Sequence, residues 1–270
     1  MSIPHFNAAK ALCHEIDRYQ TERPDLHSYA LIYGVAFPRA YRELQPGAGG
    51  SAAQSPSLIF GAVGDDKREQ YGPFLLNLAQ PLPPATRLMI AQRCYSDPRG
   101  VSFLFSRQTL PALTLALQAR LEVKCEDRTQ WQMKFFDSRT LPVLDRVLTV
   151  DQQRDYLGII AQWWYLDREG ALQKISGTDA PTDDYHGPLA LTEAQTTTFI
   201  DAGLADSVLY TLGQTDDDLL AVFDPRTRYR IVAGSLEGAT EAERNSALLL
   251  ADRGRCALLE ALRLRGDMRL

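Results

Sequence analysis

The hydrophobic period of this chain changes once, and that change limits what it can fold into. Before about residue 176 the apolar residues come in strand-length runs: Ser28–Val35, Ser57–Gly61, Pro73–Leu78, Val101–Phe105 and Leu121–Cys125. Trp131–Phe135 alternates and predicts a hairpin partner for Leu121–Cys125 across the polar turn at Glu126–Thr129. A second hairpin is expected from Trp163–Leu166 to Ala171–Ile175 through Asp167–Gly170. Between these runs lie helical stretches: residues 5–20 with Phe6, Ala9, Cys13 and Ile16 in register, a short one near Pro38–Leu44, then Pro84–Arg93, Thr109–Ala119 and Thr140–Leu148. Gln45–Pro56 and Asp65–Gln70 read as loops.

Ser176–Asp184 carries no large apolar anchor and predicts the domain boundary. Beyond it Ile200, Leu204, Val208 and Leu212 recur every four residues, behind a capping-box pattern at Thr192 and Gln195. Thr240 and Glu243 repeat the capping pattern ahead of Leu248, Ala251, Leu258 and Leu262, with Gly254 marking a bend or break. The expected architecture is a mixed α/β lobe over residues 1–176 followed by a smaller all-helical lobe over 188–270.

Bulk properties narrow the class. An apolar share of 45% and a charged share of 23% are those of an ordinary globular chain. A net charge of −5 argues against a dedicated nucleic-acid binder, and no apolar run approaches the roughly 20 residues of a membrane span. The N-terminal residues lack the pattern of a signal peptide. Cys13, Cys94, Cys125 and Cys256 are scattered without a Cys-x-x-Cys pair, which predicts reduced, packed thiols and a cytoplasmic protein.

The chemistry-bearing motifs of common enzymes are missing from the sequence. There is no phosphate-cradling Gly-x-x-x-x-Gly-Lys loop and no Gly-x-Ser-x-Gly elbow, and Gly47–Gly50 lacks dinucleotide-binding spacing. His14-Glu15 has no second histidine to complete a zinc site, and Cys13 and His14 point about 100° apart on a helix. Asp216-Asp217-Asp218 reads as helix-start acids rather than a cation site. No cofactor and no metal are expected. The strongest polar candidates are Asp137 and Arg139, in Lys134-Phe135-Phe136-Asp137-Ser138-Arg139-Thr140-Leu141-Pro142. An apolar strand is expected to end in the two phenylalanines, with Thr140 capping the next helix and Pro142 in its first turn. Phe103–Leu113 repeats the design with Thr109-Leu110-Pro111. A structural role for Asp137, accepting backbone N–H groups and pairing with arginine, is preferred over catalysis. Trp163, Trp164 and Tyr165 are candidates for partner binding where they face outward.

Several segments, in order, resemble the adaptor chaperones that load effectors onto the type VI secretion spike. Tyr29-Ala30-Leu31-Ile32 is similar to their opening strand, Ser57–Gly61 to the next apolar block, and Gly72-Pro73-Phe74-Leu75 to their Pro-aromatic-Leu strand. Phe136-Asp137-Ser138-Arg139 resembles their aromatic-Asp-Pro-Arg stretch, and Tyr156–Ile160 with Trp163 or Trp164 their glycine–tryptophan segment. Tyr33 stands where an aspartate is usual, Ser138 where a proline is, and Gln118-Ala119-Arg120 departs from the usual His-Leu-Arg. The resemblance implies a non-enzymatic adaptor in the cytoplasm, whose partners are an effector and the C-terminal region of the spike protein. Gly72, Pro73, Phe136, Asp137 and Arg139 are then structural. The rivals are an α/β hydrolase-type enzyme using Asp137 and an immunity-type protein that blocks a toxin.

Overall fold

The computed structural model describes residues 3–45, 55–60, 66–78 and 82–265, so the Gly47–Gly50 stretch and most of the expected 45–56 loop lie outside the described residues. Two compact units divide the chain, Met1–Gln195 and Thr196–Leu270.

The first unit is built on a six-stranded antiparallel sheet. Its strands are β1 (His27–Tyr33), β2 (Ser57–Leu58), β3 (Pro73–Asn77), β4 (Val101–Ser106), β7 (Gln162–Leu166) and β8 (Leu172–Ser176), in the order β2-β3-β1-β4-β7-β8. The central strands β1, β3 and β4 are near-continuous apolar runs because helices cover both faces, so neither side has a reason to be polar. One face carries Ala30, Ile32, Phe74, Leu76, Phe103, Phe105 and Trp164, packed on Ala9, Leu12 and Ile16 of α1 (Ile3–Glu22) and on Ile90, Ala91 and Cys94 of α4 (Pro84–Ser96). The other carries Tyr29, Leu31, Leu75, Leu104 and Trp163, all buried. On that side run α5 (Leu110–Ala119), α6 (Leu141–Val147) and α7 (Val150–Tyr156), whose Leu113, Leu117, Leu141, Leu144 and Tyr156 are buried.

A second, small sheet joins β5 (Glu122–Cys125), β6 (Gln130–Gln132) and β9 (Leu189–Leu191) in the order β6-β5-β9. The β5–β6 hairpin is the expected one, pairing Val123 with Trp131. It ends at Gln132, so Phe135 and Phe136 follow the strand instead of closing it. Strand β9 runs parallel to β5, with Lys124 opposite Ala190. This pairing keeps the polar stretch 176–184 inside the first unit and puts the division between Gln195 and Thr196. Two further helices, α2 (Ala40–Glu43) and α3 (Asp66–Tyr71), flank β2; α3 occupies the expected charged loop at 65–70, where lysine, arginine, glutamate and glutamine are good helix formers.

The second unit is helical. It holds most of α8 (Glu193–Thr215), then α9 (Asp217–Ala221), α10 (Pro225–Leu236), α11 (Glu241–Arg244) and α12 (Ala247–Arg265). The Thr192–Gln195 and Thr240–Glu243 capping boxes both form, with reciprocal bonds of 3.0 and 3.3 Å at the first. Val208 and Leu212 of the α8 stripe are buried with Leu250, Ala251, Leu258 and Leu262, whereas Ile200 and Leu248 are exposed. Gly254 does not break α12, which runs uninterrupted from Ala247 to Arg265. A Cβ there would stand 2.6 Å from Val208 Cγ1, so the glycine permits a close approach of α12 to α8.

Candidate functional site

The corner after Met133 turns on short-range bonds. Asp137 N–H donates to Lys134 O at 2.9 Å, and Thr140 N–H to Asp137 O at 2.9 Å. A 3₁₀ turn at Ser138–Thr140 precedes α6, so Thr140 is already helical at φ −78° and caps nothing; Asp137, extended at φ −87° and ψ 109°, takes that role. Its Oδ1 accepts from Arg139 N–H at 3.1 Å and Arg139 Nε at 2.8 Å, and its Oδ2 accepts from Arg139 Nη2 at 2.5 Å. Pro142 stands in the first turn of α6 as expected. Thr109 likewise makes no side-chain cap for α5, although Pro111 occupies that helix's first turn.

Aromatic residues surround the corner. Phe136 lies 4.9 Å from Tyr33 and 5.4 Å from Phe60, and Phe135 lies 5.8 Å from Trp163. Ser138 Oγ donates to Pro98 O at 2.6 Å, fastening the corner to the turn before β4. Burial raises the Tyr33 hydroxyl above its usual pKa, and the Asp137 charge adds to the effect. Gly72 and Pro73 sit next door: Gly34 N–H donates to Gly72 O at 3.2 Å and Pro73 pairs with Tyr33. The motif residues Gly72, Pro73, Phe136, Asp137 and Arg139 therefore bear on one end of the sheet. With both oxygens of Asp137 engaged by Arg139 and the side chain 10% exposed, the pair works as a clamp on the backbone.

Trp163, Trp164 and Tyr165 are not a surface. They are 1%, 1% and 5% exposed, because β7 lies between β4 and β8 and both sheet faces are covered. Trp163 Nε1 donates to Ser102 Oγ at 2.9 Å, and Trp164 packs 4.6 Å from Phe105 with Lys174 over its other face at 3.9 Å. Outward aromatic area comes from elsewhere: Trp131 on the edge strand β6 and Tyr210 on α8 are exposed.

Cys94 and Cys125 are buried and Cys13 partly so, as packed thiols should be, but Cys256 is exposed. Burial pushes the Cys94 and Cys13 thiols up, away from reactivity. Asp216 pairs with Arg255 at 3.3 Å beside the start of α9, and no group of three metal-ligating side chains occurs among the described residues. No helix among them is long and apolar enough to cross a membrane.

Two charge nodes were not legible as such in the sequence. Arg23 and Arg107 each reach both Asp25 and Asp179, at 2.6–3.0 Å. Arg120, at the C-terminal end of α5, is 1% exposed and uses Nε, Nη1 and Nη2 against backbone carbonyls and the carboxylate of Asp183. The sequence offers an arginine flanked by Ala119 and Leu121, in the place of the resembled family's His-Leu-Arg, but does not mark Asp183 as its partner.

Residues 28–155, from β1 into α7, match the family model described as a domain of unknown function, DUF4123. No curated protein and no solved structure matches the chain.

Proposed function

We propose that this chain is a non-enzymatic adaptor that holds a type VI secretion effector and presents it to the C-terminal region of the spike protein. The observation that carries the reading is a coincidence of spans. The family-model match covers 28–155, and the ordered segments that resemble the adaptor chaperones run over 28–165, including Gly72-Pro73 and Phe136-Asp137-Ser138-Arg139.

The local chemistry is in keeping with it. Asp137, the residue a hydrolase reading would use, has both oxygens tied to Arg139. The two units each have their own core, so two partners can be held by independent surfaces of about 800 Å² each. Exposed Tyr210, Leu248 and Leu264 supply apolar contact area on the helical unit. Co-purification from the chain's own bacterium tests the reading. The adaptor brings down both the spike protein and the effector encoded beside it. A single toxin partner would favour an immunity protein, and turnover of a small substrate that disappears in Asp137→Ala would favour an enzyme.

A further inference from the structure

Arg120 is held by backbone carbonyls of α5 and α7 and turns its remaining donors to a carboxylate from the 181–188 segment. Arginine has five N–H donors in a planar fork. Three of Arg120's bonds go to carbonyls of α5 and α7: Nε to Tyr156 O at 2.6 Å, Nη1 to Ala116 O at 2.8 Å and Nη2 to Asp155 O at 3.4 Å. Tyr156 Oη donates back to Arg120 O at 2.8 Å, bracing the same turn. These bonds orient the guanidinium and leave one donor on each terminal nitrogen aimed away from the frame. Asp183 accepts both, at 2.8 Å from Nη1 and 2.6 Å from Nη2. The Tyr185 ring then covers the guanidinium at 4.4 Å and meets Tyr156 edge-on at 5.9 Å.

The occupant is a surface strap. Residues 181–184 and 186–188 are exposed, and Asp183 and Tyr185 are the side chains that reach into the node. Gly187 folds over the Tyr185 ring so closely that a Cβ would stand 2.3 Å from it. Burial alone would raise the Asp183 carboxyl, yet the Arg120 bonds hold it below its ordinary value.

We propose that the Arg120 node is a peptide-binding site, plugged in cis by the chain's own Asp183-Asp184-Tyr185. Its ligand class is an extended segment with a carboxylate two residues before an aromatic ring. The recognition elements are the bidentate fork of Arg120 for the acid and the guanidinium face with Tyr156 for the ring. A segment offered in trans competes with the strap for the same two donors. The inference stands independently of the adaptor reading, because it concerns the slot and the strap alone.

The probe is a fluorescein-labelled peptide of the strap's own sequence, Thr178–Pro188, read by anisotropy against the full chain. The full-chain D183A/Y185A variant empties the slot while keeping Arg120 and Tyr156. It binds the peptide about tenfold or more tighter than the unaltered chain does, and a peptide with asparagine at the Asp183 position loses about tenfold. Equal binding by both chains, no binding by a folded variant, or equal binding of the two peptides overturns the proposal. Should the variant fail to fold, hydrogen exchange on the unaltered chain decides. Excess peptide speeds exchange of residues 178–188 by about tenfold if the slot trades ligands. Unchanged exchange makes Asp183 a fixed tether and refutes the site.

Discussion

Asp137 shows how one side chain can define a corner. Its carboxylate caps a 3₁₀ turn and forms a two-point pair with an arginine two residues on. Replacing it by alanine removes the cap and the two-point pairing with a partly buried guanidinium, which should cost roughly 1–3 kcal/mol in urea unfolding. A variant of unchanged stability would show that the clamp contributes nothing. The second residue-scale prediction concerns acid. Hydrogen bonds from Arg23 hold the Asp25 carboxyl down at about 2, with the Arg107 charge acting in the same direction. A carboxyl depressed on folding contributes stability above its ordinary pKa of about 3.9, and the contribution is lost as pH falls through its folded value. An NMR titration should place the Asp25 midpoint near 2, rising towards the ordinary value in Arg23→Ala; a midpoint unmoved by that substitution would contradict the assignment. Local pairing such as Asp137 with Arg139 was legible from sequence because its partners are two residues apart. Arg120 with Asp183 was not, since 63 positions separate them and nothing local marks either as a partner.

Among the elements, those with a strong period were readable and those defined by their neighbours were not. The apolar runs of β1, β3 and β4 and the capping boxes before α8 and α11 follow from local chemistry. Strand β9 is three residues long and exists because β5 offers an edge, which no local pattern announces. The same dependence buried Trp163, Trp164 and Tyr165: alternation distinguishes the two faces of a strand, but only the sheet order reveals that β7 is interior. Gly254 belongs at this scale too. Alanine there gains about 1 kcal/mol of helix propensity but drives its Cβ into buried Val208, a clash costing roughly 1–3 kcal/mol. Gly254→Ala should therefore be less stable by thermal melting, and Val208→Ala in the same chain should recover part of the loss. A more stable Gly254→Ala would mean that the two helices have room to spare.

At the scale of the whole molecule, an α/β unit with helices on both sheet faces precedes a helical unit with its own core. The change of hydrophobic period foretold that order. It set the boundary too early, because the polar stretch 176–184 is fastened to the first unit through Asp179, Asp183 and β9. The motif residues Gly72, Pro73, Phe136, Asp137 and Arg139 gather at one end of the six-stranded sheet, while the helical unit exposes Tyr210 and Leu248. The measurement that tests the adaptor claim most directly is size-exclusion chromatography with light scattering on three purified proteins: this chain, the spike protein's C-terminal region and the neighbouring effector. The account predicts one peak whose mass is the sum of all three, absent when this 30.2 kDa chain is left out. Spike and effector eluting together without it, or neither of them binding it, would contradict the account.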